Sequence, residues 1–109
     1  MSPEVVRENE RILAQVEGCG GGFVWEREIF AVTLTDVAVT DAQAASLTGL
    51  AGVKQIALDA SRVSFTTLQR IASMPGLRSL VLSGVTFPQE QRLLLESCGP
   101  KVEVVDKNA

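Results

Sequence analysis

A chain of 109 residues with 46% apolar side chains is long enough for one small domain with its own core and too short for two. Its formal charge of −3 is mild, its lysines and arginines stand singly, and it has no histidine. A basic nucleic-acid footprint is therefore excluded, as are histidine-based acid–base, nucleophilic and metal arrangements. No apolar run approaches membrane-spanning length, and Met1-Ser2-Pro3-Glu4 has neither the basic start nor the apolar stretch of a secretory signal, so a cytoplasmic protein is expected.

Ser2 to Glu17 reads as a helix. Ser2 is a good cap, Pro3 suits the first turn, and Glu4 favours the positive end of the helix dipole. Val5, Ile12, Leu13 and Val16 are spaced for one face, with Glu8, Glu10, Arg11 and Glu17 elsewhere. Gly18 to Gly22 ends the helix and turns the chain. It lacks the Lys-Ser or Lys-Thr of a phosphate-binding loop. Phe23 to Glu26 is a short strand that pairs with the next one through Glu26-Arg27-Glu28. Trp25, the single tryptophan, is expected to bury against the helix. Residues 1–28 together read as a cap of helix plus strand.

From Ile29 the chain repeats itself with a period of about 24 residues, a length typical of stacked-repeat architectures. Counting from Ile29, Val53 and Leu77, six places are apolar in all three copies. Place four holds Val32, Ile56 and Leu80; place six Leu34, Leu58 and Leu82; place eleven Val39, Val63 and Phe87. Place nineteen holds Leu47, Ile71 and Leu95; place twenty-two Leu50, Met74 and Cys98; place one the three starting residues. Places four and six lie on one side of a strand, and places nineteen and twenty-two on one face of a helix. One coil cannot bury both faces alone, whereas stacked coils form a continuous core. The spacing predicts strands at 29–34, 53–58 and 77–82, helices at 41–50, 66–74 and 89–98, and a last edge strand at 101–105. Thr40, Ser64 and Pro88 start the helices, and Gly52, Gly76 and Gly99-Pro100 end them. Cys98 at place twenty-two is read as a buried hydrophobe, and neither cysteine belongs to a C-x-x-C pair. Residues 106–109 are read as a frayed end.

Met74-Pro75-Gly76-Leu77-Arg78-Ser79-Leu80-Val81-Leu82-Ser83-Gly84 resembles a leucine-rich repeat consensus. Val39-Thr40-Asp41-Ala42 resembles the helix start of short bacterial members of that family. The resemblance runs over residues 29–105 and implies an α/β fold: a short right-handed β-α solenoid, parallel strands on its concave side, helices on its convex side. Place nine departs from the family. Val37, Ser61 and Val85 stand where many repeats carry Asn or Thr for a buried ladder.

No catalytic, cofactor-binding or metal-ligating set emerges. Asp36 and Asp59 approach the strand ends but at different places, and no serine has an activating base. The chain is read as non-enzymatic, working by protein binding without nucleic acid or membrane. The resemblance implies contact through the concave sheet, at Ala31, Thr33, Thr35, Gln55, Ala57, Asp59, Ser79, Val81 and Ser83, with Lys54 and Arg78 beside them. A second reading is a regulatory switch. Ile56-Ala57-Leu58-Asp59-Ala60-Ser61-Arg62-Val63-Ser64-Phe65 resembles the strand-to-helix junction of the STAS family of anti-sigma-factor antagonists, with Thr66-Thr67 where that family carries Asp and a phosphorylated Ser. A third is a structural subunit that self-associates weakly through the Val102–Val105 edge or an open end.

Overall fold

The computed structural model describes residues 2–35 and 37–105, so Asp36 and the expected frayed end at 106–109 lie outside the described residues. Helix α1 (Pro3–Gly18) is capped by the Ser2 hydroxyl, which accepts from Val5 N. Strands β1 (Gly22–Trp25) and β2 (Phe30–Leu34) form the expected antiparallel hairpin. The rest alternates: α2 (Asp41–Ser46) with a tight 3-10 turn at Leu47–Gly49, β3 (Gln55–Asp59), α3 (Phe65–Ala72), β4 (Ser79–Ser83), α4 (Gln89–Glu96) and β5 (Lys101–Val105). The five strands lie side by side in chain order, and β2 to β5 are parallel.

The sequence period reappears as strand register. Val32 pairs with Ile56 and Ile56 with Leu80, each a step of one full repeat; Leu80 then pairs with Val102, a slightly shorter step. This row is fully buried, as is the parallel row of Leu58 and Leu82. Helix side chains Ile12, Leu13, Val16, Ala44, Leu47, Leu68, Ile71 and Leu95 meet these rows in one continuous core, so the helices cover one face of the sheet. Full burial of each such Leu, Ile or Val is worth about 1.5–3 kcal/mol, which makes this face the main drive to fold.

The caps behave as their chemistry requires. Thr40 and Gln43 form a reciprocal capping box at α2. Ser64 accepts from Thr67 N at α3. Pro88 stands just outside α4 as its cap and offers no side-chain bond. β3 and β4 begin later than expected, at Gln55 and Ser79, because Val53 and Leu77 are buried in the turns that precede them.

Two apolar places depart from the pattern. Ile29, expected in the core, is 54% exposed, and Phe30 is buried in its stead. The antiparallel hairpin puts Phe30 opposite Trp25, whose ring stacks on it at 5.3 Å, so the turn rolls Ile29 outward. Trp25 is half-buried through this contact. Cys98, expected in the core, is exposed. It follows α4, which buries only Leu95 and leaves Leu93 and Leu94 open. No further helix follows among the described residues to cover that end. Cys19 and Cys98 are both free thiols.

Two polar side chains tie neighbouring segments together. Asn9 lies in the apolar stripe of α1 and is fully buried. Its amide donates to Ala51 O at 3.0 Å and accepts from Ala51 N at 2.9 Å, clipping the helix to the turn before β3. Asp41, in the first turn of α2, accepts from Ser64 N at 2.7 Å and so joins the starts of α2 and α3.

Asn9→Ala leaves a half-buried carbonyl and amide of Ala51 without this partner, and should lower unfolding free energy by about 1–3 kcal/mol in a urea titration. Asp41 titrates below the ordinary carboxylate range, chiefly because Ser64 N donates to it, helped by the Thr67 and Ser64 side chains. A folded pKa below the unfolded one means stability that is present above the unfolded value and lost as pH falls through the folded value. Urea titrations below about pH 4 should therefore show a shallower acid loss for Asp41→Ala than for the parent chain.

Candidate functional site

The sheet face away from the helices is the one broad face that no element covers among the described residues. Its residues follow from the period-2 alternation of the strands. One row runs Val24, Ala31, Gln55, Ser79 and Lys101 across all five strands; the next runs Gly22, Thr33, Ala57, Val81 and Glu103. Of the expected contact positions, Thr33 and Gln55 are exposed, and Ala31, Thr35, Ser79 and Val81 are half-buried.

Ala57, Asp59 and Ser83 are buried instead of presented. Ala57 is short and lies on the central strand between Thr33 and Val81, which shade it. Asp59 ends β3 and turns its carboxylate back on the chain. Oδ1 accepts from Ser61 N at 2.9 Å, closing the loop after the strand. Ser83 donates to Leu58 O at 3.4 Å. These polar groups at the strand C-terminal ends hold the loops and are not offered to a partner. Place nine shows why they are needed. Val37 and Val85 are half-buried and Ser61 is exposed, so the carboxylate of Asp59 ties down the loop at this level.

The other end of the same face is different. A groove of about 260 Å³ lies where the β1–β2 turn meets the starts of β3 and β4. Glu28, Ile29, Phe30, Ala31, Lys54, Gln55, Arg78 and Ser79 line it. Lys54 Nζ donates to Glu28 O at 3.1 Å, which holds the turn against β3. Arg78 is exposed.

A second cleft of about 380 Å³ opens on the helix side between α1, the end of β2 and α2. Val16, Leu34, Val39 and Leu47 line it together with Gln15, Gln43 and Ser46. Cys19 also lines it, and its thiol donates to Val16 O at 3.2 Å. No cluster of potential metal ligands occurs among the described residues, and no helix there is long and apolar enough to cross a membrane. At the junction that resembles the STAS pattern, Thr66 is exposed on α3, while Thr67 is buried with its hydroxyl bonded to Ser64 Oγ at 3.0 Å.

Two features of the face escape a reading of the sequence. Asp59 looks like a solvated strand-end charge, yet its burial depends on Gly84, a residue on the neighbouring coil. Gly84 has φ of +76°, and a Cβ there would meet Asp59 Oδ1 at 2.4 Å. The groove exists only once the β1–β2 turn and two strands one repeat apart are brought together.

Comparison with protein-family models, curated proteins and solved structures yields no match.

Gly84→Ala combines an unfavourable left-handed backbone with a clash against a buried carboxylate. It should cost about 1–3 kcal/mol or more in thermal or urea unfolding. Asp59→Ala in the same background should remove most of the additional loss, because the clash partner is gone.

Proposed function

We propose that this chain is a non-catalytic protein-interaction module built as a short leucine-rich repeat solenoid, which presents the open face of its parallel sheet to a protein partner. The observation that carries this reading is the strand register. Strands β2, β3 and β4 step by one full repeat with like residues stacked on like, the helices pack on one face, and the opposite face is left uncovered. A stack of this kind is stiff, because each coil is held by the buried row of its neighbours, so a surface on it is pre-organised before a partner arrives.

The side chains of the face suit contact more than chemistry. They are small and mostly uncharged along the middle strands, with charge gathered at the strand starts. Thr33, Gln55, Ser79 and Val81 supply a shallow surface that a complementary protein can approach closely. Thr35 lies at its margin, and Ala57 adds backbone and a methyl group at the centre.

The test uses Thr33→Arg with Val81→Arg as one variant and Arg70→Glu, on the exposed side of α3, as its control. Circular dichroism first establishes that both fold. Quantitative affinity capture from lysate should then lose a specific protein partner with the sheet variant and keep it with the helix variant. Retention by the sheet variant, with loss by the helix variant, would overturn the assignment of the working face.

A further inference from the structure

We propose that the outer edge of β5 is a docking site for a second copy of this chain, the two β5 strands pairing antiparallel about Val102 with Lys101 of each copy against Glu103 of the other. This contact uses the edge of the sheet, so it goes beyond the reading of the sheet face as a contact surface and stands or falls separately.

β5 is the last strand of the sheet, and among the described residues no strand pairs with its outer edge. Lys101 N donates to Arg78 O at 2.9 Å, so the N–H and C=O of Lys101 face β4. Glu103 and Val105 share that direction, and the N–H and C=O of Val102 and Val104 point out of the sheet. A row of outward backbone groups is a template for another strand. Antiparallel pairing of β5 with itself must set outward groups against outward groups. Registers centred on Val102, Glu103 or Val104 meet this condition. The one on Glu103 sets two carboxylates face to face, and the one on Val104 sets Glu103 against Val105. The one on Val102 sets Lys101 against Glu103 twice, at the closer, non-hydrogen-bonded pairs, where Cα atoms stand about 4.5 Å apart. Lys101 and Glu103 are both exposed on the open face and can meet there, while Val102 exchanges two hydrogen bonds with Val102 of the second copy.

The charge pattern selects a copy of the same strand. Charge of one sign along an edge repels an identical edge, whereas Lys101 and Glu103 differ in sign and a two-fold axis at Val102 makes them complementary. β1, the opposite edge of the sheet, carries no charged side chain from Gly22 to Trp25, so head-to-tail stacking leaves both charges unanswered. The helix layer agrees. Places sixteen and twenty of the repeat hold Ala44 and Thr48, then Leu68 and Ala72, then Arg92 and Glu96. Leu68 and Ala72 are fully buried in the coil that α4 follows, while Arg92 Nε donates to Glu96 Oε1 at 3.2 Å and both side chains stay partly open. That flank of α4 gives another coil no apolar seat, and its paired charges sum to zero, so it does not repel a second copy. Pairing about Val102 joins two five-stranded sheets into one with every helix on the same side. The contact of two five-residue strands is small, so the dimer is weak.

Sedimentation velocity at low salt reads the outcome, with reductant present so that the exposed Cys98 does not link copies. The parent chain should pass from monomer toward dimer between about 10 μM and 1 mM, and less so as salt rises. Lys101→Glu and Glu103→Lys should each weaken dimerisation about tenfold or more, and the two together should restore it, because the exchanged charges again face each other. A mixture of the two single variants should form dimers that neither forms alone. Leu93→Glu with Leu94→Glu, on the exposed side of α4, should leave dimerisation unchanged. Circular dichroism establishes that each variant folds. A monomer at the highest concentration, species growing beyond the dimer, no loss in the single variants, no recovery in the double exchange, or loss with the α4 variant overturns the proposal. None of these outcomes alters what the Thr33→Arg, Val81→Arg variant says about the sheet face.

Discussion

The fold depends on one constraint: a parallel register in which Val32, Ile56, Leu80 and Val102 lie in line beneath the helices. Because side chains alternate along a strand, a slip of one residue would send the whole row to the open face. The buried row, the helix it meets and the turn between them therefore form one cooperative unit per coil, and each coil completes the burial of the one before. The hairpin of β1 and β2 starts this stack, with α1 laid against it. The stack ends less tidily, with α4 leaving Leu93 and Leu94 open.

Polar side chains then decide details that burial leaves free. Asn9 sits where a leucine would satisfy the amphipathic pattern of α1, yet its two bonds to Ala51 fix where the helix lies along the stack. Asp41 does the same between the helix starts, and Asp59 between a strand end and its loop. Each satisfies backbone groups that a tight turn would otherwise strand, which is why polar residues at these places stabilise the stack. Asp59 also shows coupling between coils, since the space for its carboxylate exists only because residue 84 lacks a side chain.

The open face divides into two ends with different work. At the strand C-terminal ends, Asp59 and Ser83 are consumed by loop-holding bonds. At the strand N-terminal ends, Lys54 is held by its bond to Glu28 O and Arg78 is exposed, and both line a groove with Glu28.

The repeat period by itself determined the parallel strands, the helices between them, the capping residues and most of the core, because periodic burial leaves its imprint locally in residue type. It could not decide which residue of Ile29-Phe30 enters the core; the hairpin decides that, by placing Phe30 against Trp25. It misplaces Cys98, since burial at that place needs a following coil to cover it. It also presents Ala57, Asp59 and Ser83 as exposed, because a strand's alternation gives the face of a side chain but not the shading or hydrogen bonds supplied by neighbouring coils. The groove at the strand starts is invisible for the same reason: the β1–β2 turn and two strands a repeat apart meet only once the register is formed.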